Sequence, residues 1–280
     1  MGAVLLALAS SVGWGAADFG GGLLTRRLSL AAVTVTSQAA GLAALIVVVA
    51  AVGSLDSRSL WIGAAGGLSG GAGLACFYAA LARGTMSIVA PITACSAVVP
   101  VALSIGTGER PSALALAGSG VALSGAVLAS VEERSAGESG RRDALALAVG
   151  AAVAIGIFLF VLGKAAHAGS VVSALFGARL GSLGFLVAWA AVTGATVATF
   201  RIGRRAAALV VLVGLADVGA NTLFALASQR GLLSVVSVLG SLFPVVTVVL
   251  AHAFLHERIS RVQRVGVAVA LVGVAVVGAA

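Results

Sequence analysis

A few side chains stand where apolar runs should carry no polarity: Asp18, Gln38, Arg179, Asp217 and Asn221. An ionisable group inside a membrane helix is expensive, so each must face a protein interior and marks a site. A carboxylate held out of water can trade its charge for a proton, which makes Asp18 a candidate proton carrier alternating between proton and substrate. The competing reading is an interface residue that bonds backbone around Gly20 to Gly22. Arg179 offers forked donors suited to a substrate carboxylate or phosphate. Against that stands a structural ion pair with Asp217 or Asp18, because a buried charge needs a partner. Asp217 and Asn221 are four residues apart and share one helix face, so together they can bind an amine or amide. Trp14, Tyr78 and Trp189 can supply aromatic cavity walls, with interfacial anchoring or packing as the alternative.

Other reactive residue types carry less. His252 and His256 have the i, i+4 spacing of a metal pair, but no HExxH motif or third ligand accompanies them. No metal site and no cofactor is expected. Cys76 and Cys95 both lie inside apolar runs and read as small core residues rather than a disulfide. A nucleophile with its base, a metal cluster and a phosphate motif are all missing, so the chain does not read as an enzyme.

The elements that position these groups follow from composition. Hydrophobic residues make up 60% of the 280, charged residues only 9%, and mean hydropathy is +1.17. No water-soluble fold can hide that much apolar surface, so lipid is the solvent and the chain is an all-α polytopic membrane protein. The net charge of +8 would suggest nucleic acid in a soluble protein. Here the basic residues sit in short loops between apolar runs, where they orient the chain in the bilayer. The opening run lacks the basic n-region of a signal peptide and continues past LALAS, so it reads as the first membrane helix.

A span needs roughly 20 apolar residues. Breaking the chain at its charged and turn-like points predicts ten, over 2–24, 30–52, 60–82, 85–105, 112–130, 144–163, 171–198, 206–228, 232–254 and 262–279. The polar stretch 131–143, VEERSAGESGRRD, interrupts them midway. It divides a first five-helix repeat, 1–130, from a second, 144–280.

The two parts match at specific points. Phe77, Ala80, Arg83, Gly84 and Ser87 fall on Phe224, Ala227, Arg230, Gly231 and Ser234 at one shift. After a single-residue slip, Glu109, Arg110, Ser112, Gly118 and Gly125 fall on Glu257, Arg258, Ser260, Gly266 and Gly273. Gly15 and Gln38 align with Gly156 and Arg179 at a shared shift of their own. Five is an odd number, so the second repeat must enter the membrane upside down relative to the first. Inverted repeats of this kind build secondary transporters, with the site between them.

Pro91 and Pro244 fall inside the fourth and ninth spans, where each removes a backbone bond and favours a kink. They do not align between the repeats, which argues against a symmetric pair of hinges. Gly66, Gly67, Gly70 and Gly71 in the third span, with Gly177 and Gly181 in the seventh, form small-xxx-small faces for close helix contact. Glu109 and Glu257 sit at matching corners, where an acid in the first turn of the following helix suits its dipole. Loop Arg and Lys residues are concentrated on the side opposite the termini, which by the positive-inside rule puts both termini outside the cytoplasm.

In the order and spacing of these motifs the chain resembles the drug/metabolite transporter superfamily, specifically its EamA-type ten-helix members. The resemblance rests on WGAADFGGGLLTRRLS from Trp14, the RGxxS and GERPS corner of the first repeat, and RGLLS, Pro244, HERIS and Gln263 to Gly266 in the second. It covers essentially the whole chain. Two departures are His256, where the family usually has Gly, and Gln38, where many members carry Arg. The family implies a carrier of small metabolites, amino acids, nucleotide sugars or drugs, mostly an exporter in bacteria, with both termini cytoplasmic.

The expectation is therefore an inner (plasma) membrane, multi-pass exporter of a small metabolite, amino acid or drug, working by alternating access with coupling to protons. Its partners would be the substrate, protons and the lipid bilayer, with no nucleic acid, and it would work as a monomer or homodimer. The expected substrate-binding residues are Asp18, Gln38, Arg179, Asp217, Asn221, Trp14 and Tyr78, with Pro91 and Pro244 as helix breakers. The rivals are an importer or uncoupled facilitator of the same fold and, from another class, a membrane enzyme or scaffold.

Overall fold

In lipid every backbone N–H and C=O must be satisfied within the protein, and the helix does this locally. The computed structural model describes residues 1–83, 89, 92–130, 141–255 and 260–280, and every described stretch of regular structure is helical. The helices are α1 Gly2–Thr25, α2 Leu30–Val52 and α3 Ser57–Arg83, then the shorter α4 Ile92–Gly106. After α5 Ala113–Ser130 come α6 Arg141–Ala168, α7 Val171–Val192, α8 Arg204–Ser228, α9 Leu233–Gly240, α10 Phe243–Leu255 and α11 Arg261–Gly278. Helices α9 and α10 share one span, Leu233–Phe254, interrupted at Ser241 and Leu242. The result is a ten-helix membrane fold, eight of whose helices are long and apolar enough to cross a bilayer.

Several boundaries differ from the sequence reading, three of them with a local reason. Helix α6 starts at Arg141, inside the stretch read as linker, and runs on to Ala168. It keeps Lys164, whose ammonium sits over the Phe160 ring at 5.3 Å, and His167, whose Nδ1 lies 2.8 Å from the Gly163 carbonyl. The seventh span stops at Val192 rather than 198, because Gly194 takes a left-handed φ of 82° that a helix cannot continue.

The helix starts explain the polar corners. Ser112 accepts from the Ala115 N–H at 3.0 Å, and Ser260 accepts from Gln263 while Gln263 Oε1 accepts from the Ser260 N–H, a capping box. Glu109 does not cap the helix that follows it. Its two carboxylate oxygens accept the N–H groups of Leu233 and Ser234, both at 3.0 Å, and so hold the start of α9 from the other half of the chain. The matching Glu257 lies outside the described residues, as does Pro91.

Packing places the interior. Helix α3 lies along α6 and α7, α8 lies along α1 and α2, and α5 lies along α11. The α3–α7 seam is backbone on backbone: a Cβ at Gly67 would fall 2.1 Å from the Ala178 carbonyl oxygen, and one at Gly181 2.1 Å from that of Ala64. Between α5 and α11 the contact is reciprocal, since Cβ atoms at Gly125 and Gly273 would each fall 2.2 Å from the amide nitrogens of Ala270 and Ala122. Such small-residue contacts let helices approach where the hydrophobic effect gives no drive.

Both spans carrying interior irregularities abut a glycine. A Cβ at Gly15 would meet Phe243 O at 2.8 Å and Val246 Cβ at 2.6 Å; one at Gly156 would meet Ser96 O at 2.4 Å and Val99 Cβ at 2.6 Å. Phe243 opens α10, with Pro244 in its first turn. Ser96 sits in a 3₁₀ turn, Cys95–Ala97, inside α4. Pro244 cannot donate to the Gly240 carbonyl, and Pro100 cannot donate to that of Ser96, so each proline loosens the turn before it.

Candidate functional site

The polar groups of α2, α7 and α8 converge on one network. Arg179 on α7 donates through Nη2 to Asp217 Oδ2 on α8 at 2.5 Å and through Nη1 to Gln38 Oε1 on α2. Ser182, one turn beyond Arg179, adds a hydroxyl to the same Gln38 oxygen at 2.9 Å. Gln38 Nε2 in turn reaches Asp217 Oδ2 at 3.4 Å. Arg179, Gln38 and Asn221 are 5%, 6% and 4% exposed, so the guanidinium is held by the protein and not by water. Of the two readings for Arg179, the structure shows the ion pair with Asp217.

Asn221 is oriented by its own helix. Its Nδ2 donates to the Asp217 backbone carbonyl at 2.7 Å. A carbonyl can only accept, so the amide nitrogen must lie on that side. Asn221 Oδ1 is left buried without a partner among the described residues.

These groups form one wall of an interior cavity of about 120 Å³. Asp18 on α1 joins them, and Trp14, Phe158 and Phe243 supply aromatic surface to the same cavity, with Leu74, Ile155 and Leu159. Trp14 is braced by Phe224, ring centroids 5.5 Å apart. Ser241 and Phe243, which flank the interruption of the ninth span, also face the cavity. Irregular backbone at membrane depth is tolerated where it lines such a space.

Asp18 makes no hydrogen bond or ion pair among the described residues, so the backbone bonding around Gly20 to Gly22 of its competing reading is not seen there. It shares the cavity with Asp217.

Tyr78 does not line the cavity. It turns onto α1, where its hydroxyl would lie 2.6 Å from a Cβ at Gly21, and its ring tilts against Phe77 at 5.2 Å. The glycine leaves a notch that the phenol fills. Trp189 is likewise absent from the lining. Ser182, Ser241, Phe158 and Phe243 were missed in the sequence. Ser182 alone had a signal, its i+3 spacing from Arg179 on one face.

Seven of the ten spans line this largely apolar cavity with its few convergent polar groups and aromatic rings, the form of a small-molecule site inside a membrane bundle. The chain belongs to the EamA-like transporter family, whose model matches residues 1–131 and 143–279, and through it to the drug/metabolite transporter superfamily. A crystal structure of a protein 20% identical to this chain superposes with a TM-score of 0.80, covering 98% of this chain and 95% of that one, which shows the shared fold. No curated protein sequence matches the chain.

Proposed function

We propose that this chain is a secondary transporter of the inner membrane that exports a small amphipathic metabolite or drug by alternating access, exchanging it for protons at Asp18. The observation that carries the reading is the cavity itself. It brings a carboxylate without a partner among the described residues, a braced ion pair and aromatic rings to one space, at the meeting of helices from both halves of the chain.

Two inverted five-helix repeats, 1–130 and 144–280 joined through a polar linker, are the architecture we propose for it. The family model matches twice, once in each half. The reciprocal contacts of Gly125 with Ala270 and of Gly273 with Ala122 are those a two-fold exchange of halves would generate. Exchange would likewise relate α3 with α7 to α8 with α2. The first pair is in backbone contact at Gly63, Gly67, Gly177 and Gly181, whereas α8 meets α2 this closely at Gly214, whose Cβ would fall 2.1 Å from Ser37 O. One closed seam and one looser counterpart support a carrier caught on one side of its cycle.

Asp18 has the position a coupling carboxylate needs. It lies within electrostatic reach of Asp217 and the Tyr78 hydroxyl, and Arg179 is occupied by Asp217 and Gln38. Neutralising it by a proton or by a cationic substrate are then exclusive events, which is how exchange arises. The test is uptake of a pooled metabolite set into proteoliposomes with and without a pH gradient. Gradient-driven accumulation that disappears in Asp18→Asn is expected. Accumulation indifferent to the gradient would overturn proton coupling, and no accumulation of any pool member would overturn transport.

A further inference from the structure

We infer that the cavity selects organic cations, an amine or related N–H donor carried on an apolar or aromatic body, and discriminates against substrates bearing a carboxylate. The inference rests on the transport reading above and names its substrate class.

The charges in the cavity do not cancel. Arg179 is committed, one terminal nitrogen to Asp217 and the other to Gln38, so its fork is not free to clamp an anion. Asp217 is committed to the same pair. Asp18 is left without a counter-ion among the described residues, and the lining carries one negative charge in excess. A carboxylate entering would meet one uncompensated like charge and no available cation. An ammonium would meet the opposite.

A second observation, independent of charge, points the same way. Asn221 Oδ1 is a buried acceptor without a partner among the described residues, on a residue that lines the cavity. A buried polar atom left unpaired is costly, and such an atom at a cavity wall is satisfied by what the cavity binds. Its orientation is fixed by the Nδ2 bond to Asp217 O, so it asks for a donor. An ammonium has three N–H donors, enough for Asp18 and Asn221 together. Trp14, Phe158 and Phe243 then provide the surface on which the apolar body lies and where the cation meets ring faces.

The test is equilibrium binding to the purified full chain in detergent, using three probes of one skeleton: phenethylamine, phenylalanine and 3-phenylpropionate. Phenethylamine is expected to bind at least about tenfold more tightly than phenylalanine, with 3-phenylpropionate weakest. Asp18→Asn and Asn221→Leu should each weaken phenethylamine about tenfold, and Asp18→Glu should restore part of the loss. Because the probe series is run on the native chain, the result does not depend on any variant folding. Failure of phenethylamine to bind, or equal or tighter binding of phenylalanine or 3-phenylpropionate, overturns the cation site and leaves the transport reading standing. Phenethylamine that binds as expected but does not move in proteoliposomes upholds the site and counts against transport.

Discussion

Arg179 donates to Gln38 across 141 residues of chain, and 141 is also the spacing between Gly15 and Gly156 in the aligned sequence. Under the repeat proposed above, the two residues that align between the halves are the ones bonded to each other. A second arginine at position 38 would place two guanidiniums in contact; glutamine accepts instead, and its amide then donates to Asp217.

Breaking that network at one member should cost more than removing it. Asp217→Asn leaves the Arg179 charge buried and half-held, and is expected to lower stability by about 3 kcal/mol. Replacing both, Arg179→Met with Asp217→Leu, should recover most of the loss. Thermal unfolding of the detergent-solubilised variants measures both.

On α7, glycines three residues apart should respond in opposite ways. A Cβ at Gly181 would sit 2.1 Å from Ala64 O, while at Gly184 it would meet nothing within 4 Å. Gly181→Ala should destabilise by about 1 to 3 kcal/mol as α3 and α7 are forced apart. Gly184→Ala should be neutral or raise the melting temperature slightly through helix propensity. Paired melting curves decide it.

Glu109 supplies acceptors to two amides of α9. Glu109→Ala should cost about 1 kcal/mol, the scale of a lost helix cap, and should speed hydrogen exchange at Leu233 and Ser234 specifically. Unchanged exchange there would count against the cap.

Asp56, in the loop before α3, accepts from the Ser59 N–H at 2.7 Å. The Ser59 backbone bond first, then the Ser59 hydroxyl and nearby Arg58, hold its carboxyl below the ordinary value of 3.8. A group whose pKa falls on folding binds its proton less tightly when folded. Its contribution is therefore present above about pH 4 and lost as pH drops through the lower folded value. Melting temperature should fall with acidification in that window, and Asp56→Asn should flatten that part of the curve.

Much of this arrangement was legible in the residues. Ten apolar runs bounded by charge could only be helices in lipid, and polar groups as rare as Asp18, Arg179 and Asp217 had to turn inward. The partners were not legible, because a helix face is shared by many registers: nothing local tells Gln38 that it will meet Arg179 and Ser182, or Glu109 that it will cap a helix 124 residues away. Whether Tyr78 turns to the cavity or packs was not legible either, because its orientation depends on a notch at Gly21 on another helix. The paired irregularities were hidden for a different reason. Pro91 and Pro244 do not align, yet the 3₁₀ turn at Cys95–Ala97 and the break before Phe243 fall at the shift that relates Phe77 to Phe224. A different proline, Pro100, loosens the first.

The seats at Gly15 and Gly156 have a mechanical consequence. Each holds a carbonyl and a valine of a discontinuous span, Phe243 and Val246 in one case and Ser96 and Val99 in the other. The same joint is therefore built twice in one chain. In the alternating cycle proposed above, a duplicated joint is a fulcrum that favours neither end, so preference for one end of the stroke would come from the seams around it.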